Sequence, residues 1–95
     1  MKIVVITRHQ TLVTYLREIG VLTDADANVI AQATPDDVRD AHVIGVLPLH
    51  LAALAAQVTT LDLEVPPELR GKELSIEQLR ECARGTTTYV VRRVS

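Results

Sequence analysis

The chain has 95 residues, a length that suits one domain with a small hydrophobic core. Ten basic and 12 acidic residues give a net charge of −2, which argues against wrapping duplex DNA or coating a membrane, because proteins that do so are basic overall. With no Trp or Phe and only two Tyr, the core is aliphatic and small, and association as a homodimer would add burial.

The cellular location is predicted from the presence or absence of two sequence features, a signal peptide and a membrane-spanning apolar run. No signal peptide precedes the first predicted strand, and no apolar run approaches the roughly 20 residues of a membrane span. The single cysteine, Cys82, cannot form an internal disulfide. It lies on a predicted helix beside Leu79, where its expected role is packing. We therefore expect one cytoplasmic domain covering residues 1–95.

The first half of the chain alternates strands and helical segments. Lys2–Ile6 is an apolar, β-branched run typical of a buried parallel strand, and an amphipathic helix ending at Gly20 follows it. Asn28–Ala33 is a short second strand. After a capped single turn comes the strand His42–Leu47, in which Gly45 indicates close approach of a neighbouring backbone.

The second half continues the alternation. Leu49–Gln57 is a helix opened by a proline, and Val58–Val65 alternates apolar and acidic residues as a strand does. The third helix begins at Ser75, which has capping-box spacing to a glutamine and is flanked by leucines at staple spacing, and it is predicted to end at Gly85. Thr86–Val94 is predicted as an edge strand. The order β-α-β-β-α-β-α-β predicts a small three-layer α/β domain with a mostly parallel sheet.

A polar segment follows the first strand directly. It consists of Thr7, Arg8, His9, Gln10 and Thr11. Ligands of open α/β sheets bind beyond the carboxyl ends of strands, where helix amides and a guanidinium favour an anion and an imidazole can move a proton. The segment is interpreted as a phosphate site; the alternative is a solvated loop.

A second candidate segment follows the strand His42–Leu47. Pro48, Leu49 and His50 form the first turn of the next helix. If the two apolar strands are neighbours, His50 faces His9 across a ligand; the alternative is a surface histidine. His42 begins its strand at the other end of the sheet, so a structural role is predicted for it.

The loop before the third helix carries two cations. Arg70 and Lys72 are placed to close over an anion, although a solvated ion pair with Glu68 or Glu73 is the commoner arrangement. No Cys/His spacing typical of zinc and no Gly-rich phosphate loop is present, so neither a metal nor a cofactor is predicted.

Histidine phosphatases offer one alternative interpretation of the first segment, because they place Arg-His-Gly after a first strand. Here Gln10 stands in place of the glycine. That fold also needs a much longer chain to supply a second histidine, another arginine and a lid. We therefore reject this interpretation on length.

Three segments together resemble one small family. They are Ile-Thr-Arg-His at 6–9, Val-Ile-Gly-Val-Leu-Pro-Leu-His-Leu-Ala-Ala at 43–53 and Leu-Arg-Gly-Lys-Glu-Leu-Ser at 69–75. In this order they resemble the CRISPR-associated Csx-type accessory proteins of type III systems, in particular the subfamily numbered sixteen. The resemblance implies a Rossmann-like core akin to CARF domains. It also implies a ring nuclease that degrades cyclic oligoadenylate, chiefly cyclic tetra-adenylate, and so ends the antiviral signal.

The resemblance implies a metal-independent reaction in which a ribose 2′-hydroxyl attacks the adjacent phosphorus and leaves a 2′,3′-cyclic phosphate. Arg8 is then the candidate for charge stabilisation, His9 for proton transfer and His50 for a secondary catalytic role. The candidate ligand contacts are Thr7, Gln10, Thr11, Pro48, Leu49 and Lys72. A homodimer would match the two-fold axis of the cyclic tetranucleotide. The competing classes are a module that sequesters the messenger without cutting it and a structural subunit of an effector complex.

Overall fold

The apolar segment at the N-terminus forms a strand in the interior of the sheet. The structure is a computed structural model that describes residues 2–23 and 27–95. β1 (Ile3–Ile6) lies between β2 (Asn28–Ile30) and β3 (His42–Ile44), and both neighbours run parallel to it. Val5 pairs with Val29 on one side and Ile44 on the other.

The five strands of the described residues form one sheet in the order β2-β1-β3-β4-β5. β4 (Gln57–Leu63) runs parallel to β3, and β5 (Ala83–Tyr89) pairs with β4 as an antiparallel edge strand. The sheet is therefore mostly parallel. The predictions that the first and third strands are interior and parallel, and that the last strand lies at an edge, are confirmed.

The helices cover both faces of the sheet. They are α1 (Gln10–Glu18), α2 (Pro35–Val38), α3 (Leu49–Ala52) and α4 (Ile76–Cys82). α1 packs against α4, while α2 packs against α3. Among the described residues no helix is long and apolar enough to cross a membrane. The predicted small three-layer α/β fold, compatible with a Rossmann-like domain, is confirmed.

Alternate residues of the central strands point to the two faces of the sheet, as pleating requires. Val4 and Val43 belong to the core cluster under α2 and α3, which includes Ala52. Val5 and Ile44 belong to the cluster under α1. The helices that follow β1 and β3 therefore lie on opposite faces, and the topological switch point lies between these two strands.

Several element boundaries differ from the prediction. The predicted capping box forms, because the Gln78 N–H donates to Ser75 Oγ at 3.2 Å and the Ser75 N–H donates to Gln78 Oε1 at 2.9 Å. The predicted end of that helix at Gly85 is wrong: α4 ends at Cys82, and Ala83 already pairs with Leu63 in the sheet. The single turn before β3 is a four-residue helix, which adds α2 to the predicted order.

Gly45 lets the ends of β1 and β3 approach each other. Its φ is +141°, and a Cβ added there would lie 2.7 Å from the carbonyl oxygen of Ile6. The close approach predicted from the sequence is confirmed, although β3 ends at Ile44, directly before Gly45 and three residues before the predicted end at Leu47.

Gly45→Ala should destabilise the fold by about 2 kcal/mol or more, because it adds a backbone clash to the strain of a positive φ. Gly71→Ala is the matched control, since its φ of +79° carries strain but the added Cβ meets nothing within 4 Å; about 1 kcal/mol is expected there. Urea unfolding of both variants measures the difference, and equal midpoints would contradict the close approach.

His42 has a structural environment, as its position predicts. Its Nε2 lies 2.7 Å from Thr59 Oγ1, which lies 2.8 Å from Thr88 Oγ1, so the three side chains connect β3, β4 and β5. Burial lowers the pKa of His42 because it disfavours the charged imidazolium. The folded state therefore binds fewer protons than the unfolded chain in the interval between the two pKa values.

The free energy of unfolding should consequently fall as the pH drops below about 6.5, the ordinary histidine pKa, and continue to fall until the lower folded pKa is passed. His42→Gln should weaken this pH dependence, and His50→Gln, the same substitution at an exposed position, is the control. Urea unfolding at pH 7 and pH 5 measures the change in the free energy of unfolding for each variant. An equal change in His42→Gln and the wild type would contradict the conclusion that His42 is the source of the pH dependence.

Candidate functional site

The connection between β1 and α1 presents the polar segment predicted as an anion site. The chain leaves the sheet at Thr7, whose N–H still donates to the Ile30 carbonyl at 3.0 Å. The His9 N–H donates to Thr7 Oγ1 at 3.1 Å, and His9 is the N-cap residue of α1. This local hydrogen bond holds the turn and sets the position of His9 at the end of an interior strand.

The His9 side chain reaches across to the connection before α4. Its Nδ1 lies 3.1 Å from Glu73 Oε1, and the two residues are 64 positions apart in the chain. The side chains are 56% and 62% exposed, so solvent reaches both. The contact joins two connections at the same end of the sheet. The sequence predicts for Glu73 only an ion pair with a neighbouring cation, so the contact with His9 is a feature of the three-dimensional structure.

A cavity of about 340 Å³ lies beneath this contact. Its polar and charged lining residues are His9, Thr11, Arg70, Lys72 and Glu73. Its apolar floor is formed by Leu12, Leu63, Val65, Leu69, Leu74 and Leu79. Such a volume is near the lower end of small-molecule sites, which combine an apolar floor with a few convergent polar groups.

The apolar floor has a partial signal in the sequence. Leu63 and Val65 belong to the alternating pattern of the predicted fourth strand, and Leu74 and Leu79 are the leucines at staple spacing around the third helix. These patterns identify the residues as apolar contacts within their own elements. Only the three-dimensional path of the loop brings them together beside His9.

Four of the residues predicted from the sequence line the cavity: His9, Thr11, Arg70 and Lys72. Arg8 and Gln10 are exposed beside them but do not line it. Among the described residues, no ion pair involves Arg8, Arg70 or Lys72. Three cationic side chains near one cavity therefore have no carboxylate partner among residues 2–23 and 27–95.

The second predicted segment lies on the other side of the switch point. Pro48, Leu49 and His50 are exposed at the start of α3. Leu49 lines a separate cavity of about 250 Å³ together with Val46, Tyr89 and other residues, but His50 lines neither cavity. Neither cavity is lined by both His9 and His50. Because α1 and α3 cover opposite faces of the sheet, the two histidines follow β1 and β3 on either side of the switch point, and the expectation that they face each other across a ligand stays a prediction.

The described residues contain no group of three or more His, Cys, Asp or Glu side chains arranged to hold a metal ion. The acidic pair Asp36 and Asp37 lies at the start of α2, where Asp37 forms a capping box with Thr34. The hydrogen bonds from Thr34 lower the pKa of Asp37, because they favour the charged carboxylate. Asp37 is therefore a helix-capping residue, while Asp36 forms an ion pair with Arg39 at 2.9 Å.

The chain matches one protein family over nearly its whole length. No curated protein and no solved structure matches it. Residues 4–92 match the model of the family described as "Putative CRISPR-associated protein (Cas_VVA1548)". The match extends from β1 past β5 and includes both connections that meet at the cavity. The chain therefore belongs to this CRISPR-associated family.

Proposed function

We propose that the protein is a ring nuclease that degrades cyclic oligoadenylate, with cyclic tetra-adenylate as its main substrate. The observation that carries the proposal is the cavity at the carboxyl ends of the strands, which His9, Thr11 and two cations line together with leucine-rich apolar residues. These groups suit a ligand that has both phosphate and an apolar planar part, as a nucleotide does. Membership of a CRISPR-associated family supports a nucleotide messenger over other anions.

The size of the cavity bears on how such a ring would bind. About 340 Å³ accommodates one nucleotide unit rather than a ring of four. One adenine would lie on the floor near Leu12 and Leu79, and its phosphate would lie near His9 and Lys72 at the rim. The rest of the ring would extend across the exposed Arg8 towards a second copy of the chain.

The proposed reaction is an internal transfer at phosphorus. The ribose 2′-oxygen forms a bond to the adjacent phosphorus while the bond from phosphorus to the 5′-oxygen breaks. The proton of the 2′-hydroxyl is removed, the 5′-oxygen gains a proton, and a 2′,3′-cyclic phosphate remains. His9 is proposed for the proton transfer, and Arg8, Lys72 and the amides of α1 for stabilising the phosphorane charge.

We also propose that the active species is a homodimer. The small aliphatic core leaves large apolar side chains uncovered on the α3 side, where Val46 is 82% and Leu49 75% exposed. A two-fold dimer in which the carboxyl ends of both sets of parallel strands open on the same side would present the cavity twice to a ring that itself contains a two-fold axis. Light scattering at micromolar concentration should give twice the 10.4 kDa of one chain. A fully active monomer would contradict the proposal.

The test of the function is incubation with cyclic tri-, tetra- and hexa-adenylate in EDTA, followed by chromatography of the products. Cleavage of the tetramer over many turnovers to products with 2′,3′-cyclic phosphate ends is expected, since 2′-hydroxyl attack needs no metal. Tight binding without cleavage, at both limiting and excess ligand, would favour sequestration instead. Failure to bind any ring would favour a structural subunit. Activity lost in EDTA and restored by Mn²⁺ would require a different mechanism.

A further inference from the structure

The contact between His9 and Glu73 defines the hydrogen-bonding state of the imidazole. Glu73 Oε1 lies 3.1 Å from Nδ1, and a carboxylate oxygen can only accept a hydrogen bond. The hydrogen must therefore be on Nδ1. In the neutral ring this leaves Nε2 with a free lone pair, which makes it the nitrogen able to take a proton.

Both partners are held by local structure. His9 is the N-cap residue of α1, and its N–H donates to Thr7 Oγ1. Glu73 lies two residues before Ser75, whose reciprocal hydrogen bonds with Gln78 determine where α4 begins. The two side chains meet because the two helix starts lie at one rim of the same cavity, which both residues line.

We propose that Glu73 is a positioning residue that keeps His9 in the Nδ1–H tautomer and directs Nε2 to the 2′-hydroxyl of the bound nucleotide. This inference depends on the proposed ring nuclease function, and it gives a role to Glu73, a residue of the segment 69–75 for which the sequence predicts only an ion pair. A carboxylate that orients a catalytic imidazole is a recurrent arrangement, and it also stabilises the imidazolium that forms when the ring takes a proton.

If Glu73 served only to stabilise the fold, its loss would lower the unfolding midpoint; a positioning role predicts a different result. Both side chains are more than half exposed, and exposed ion pairs contribute little to folding stability. Loss of the Glu73 carboxylate should therefore leave the unfolding midpoint close to that of the wild type. Its removal also takes a negative charge away from an anion site, so ligand binding should not weaken. The expected loss is confined to the rate of the chemical step.

Two variants of Glu73 separate the effect of its hydrogen-bond acceptor from the effect of its negative charge. Glu73→Ala removes the acceptor for Nδ1–H, whereas Glu73→Gln keeps an acceptor oxygen but loses the charge. Glu68→Gln is the control, because Glu68 is an exposed carboxylate in the same connection that does not line the cavity. The turnover rate should fall in Glu73→Ala by no more than the roughly hundredfold loss expected when the general base itself is removed, with KM unchanged or lower, and Glu73→Gln should recover part of the loss.

The tautomer of the His9 imidazole is measured directly by long-range ¹H–¹⁵N NMR of the histidine side chains. The chain has only three histidines, so the His9 signals are identified by their loss in His9→Ala. Wild type and Glu68→Gln should show the Nδ1–H tautomer for His9. Glu73→Ala should show a mixture of both tautomers.

An unchanged tautomer in Glu73→Ala would overturn the inference, as would a changed tautomer with an unchanged turnover rate. If the wild type cleaves no cyclic oligoadenylate, the proposed function fails and the catalytic part of this inference fails with it. The NMR comparison would still decide whether Glu73 sets the tautomer of His9. The two failures are therefore distinguishable.

Discussion

His9→Ala should lower the single-turnover rate of cyclic tetra-adenylate cleavage by about a hundredfold or more, the usual loss when a general acid or base is removed. The equilibrium affinity for the ring should change little, because the imidazole would act mainly in the transition state. His9 lines the cavity, and its Nδ1 is engaged by Glu73, so Nε2 is the nitrogen available for the substrate.

His50→Ala is the informative comparison. His50 also lies in the first turn of a helix that follows an interior strand, but it lines neither cavity and its helix covers the opposite face. A much smaller loss is therefore expected. Near wild-type cleavage by His9→Ala would leave charge stabilisation and alignment as the whole mechanism. A large loss in His50→Ala alone would move the catalytic centre to the α3 side.

The sheet could be predicted from the sequence because its interior strands have an unambiguous pattern. Residues 3–6 and 42–44 are dominated by β-branched apolar side chains, and strands buried on both faces need this composition. The location of His9 follows from the same pattern, since a polar residue after a buried parallel strand must emerge at its carboxyl end. The start of α4 was predictable because a capping box is a local signal.

The remaining features depend on contacts between distant segments. Crossovers in parallel sheets are right-handed, so the face on which a helix lies depends on the direction in which the next strand is added. The order β2-β1-β3-β4 adds strands in opposite directions after β1 and β3, which places α1 and α3, and with them His9 and His50, on opposite sides of the switch point. Glu73 reaches His9 only because of the path of a loop, and the end of α4 depends on pairing of Ala83 with Leu63. Local sequence patterns contain none of this information.

Arg8→Ala should weaken both binding and cleavage of cyclic tetra-adenylate by roughly ten- to a hundredfold, which corresponds to about 1.5–3 kcal/mol for one charge-assisted contact. Arg8 is exposed next to the cavity, directly before the N-cap residue of α1, and it has no ion-pair partner among residues 2–23 and 27–95. No competing carboxylate from these residues must therefore be displaced when its guanidinium meets phosphate.

The control for Arg8 is Arg17→Ala. Arg17 is exposed in the last turn of the same helix, so this variant changes the net charge equally but leaves the cavity end intact. Arg8→Lys should recover part of the affinity, since lysine keeps the charge but loses the planar, bidentate donor geometry. Equilibrium binding and single-turnover cleavage at two salt concentrations measure these effects. Equal losses in Arg8→Ala and Arg17→Ala would reduce Arg8 to a general contribution to surface charge, and the phosphate would then have to be bound by Lys72, Arg70 and the helix amides alone.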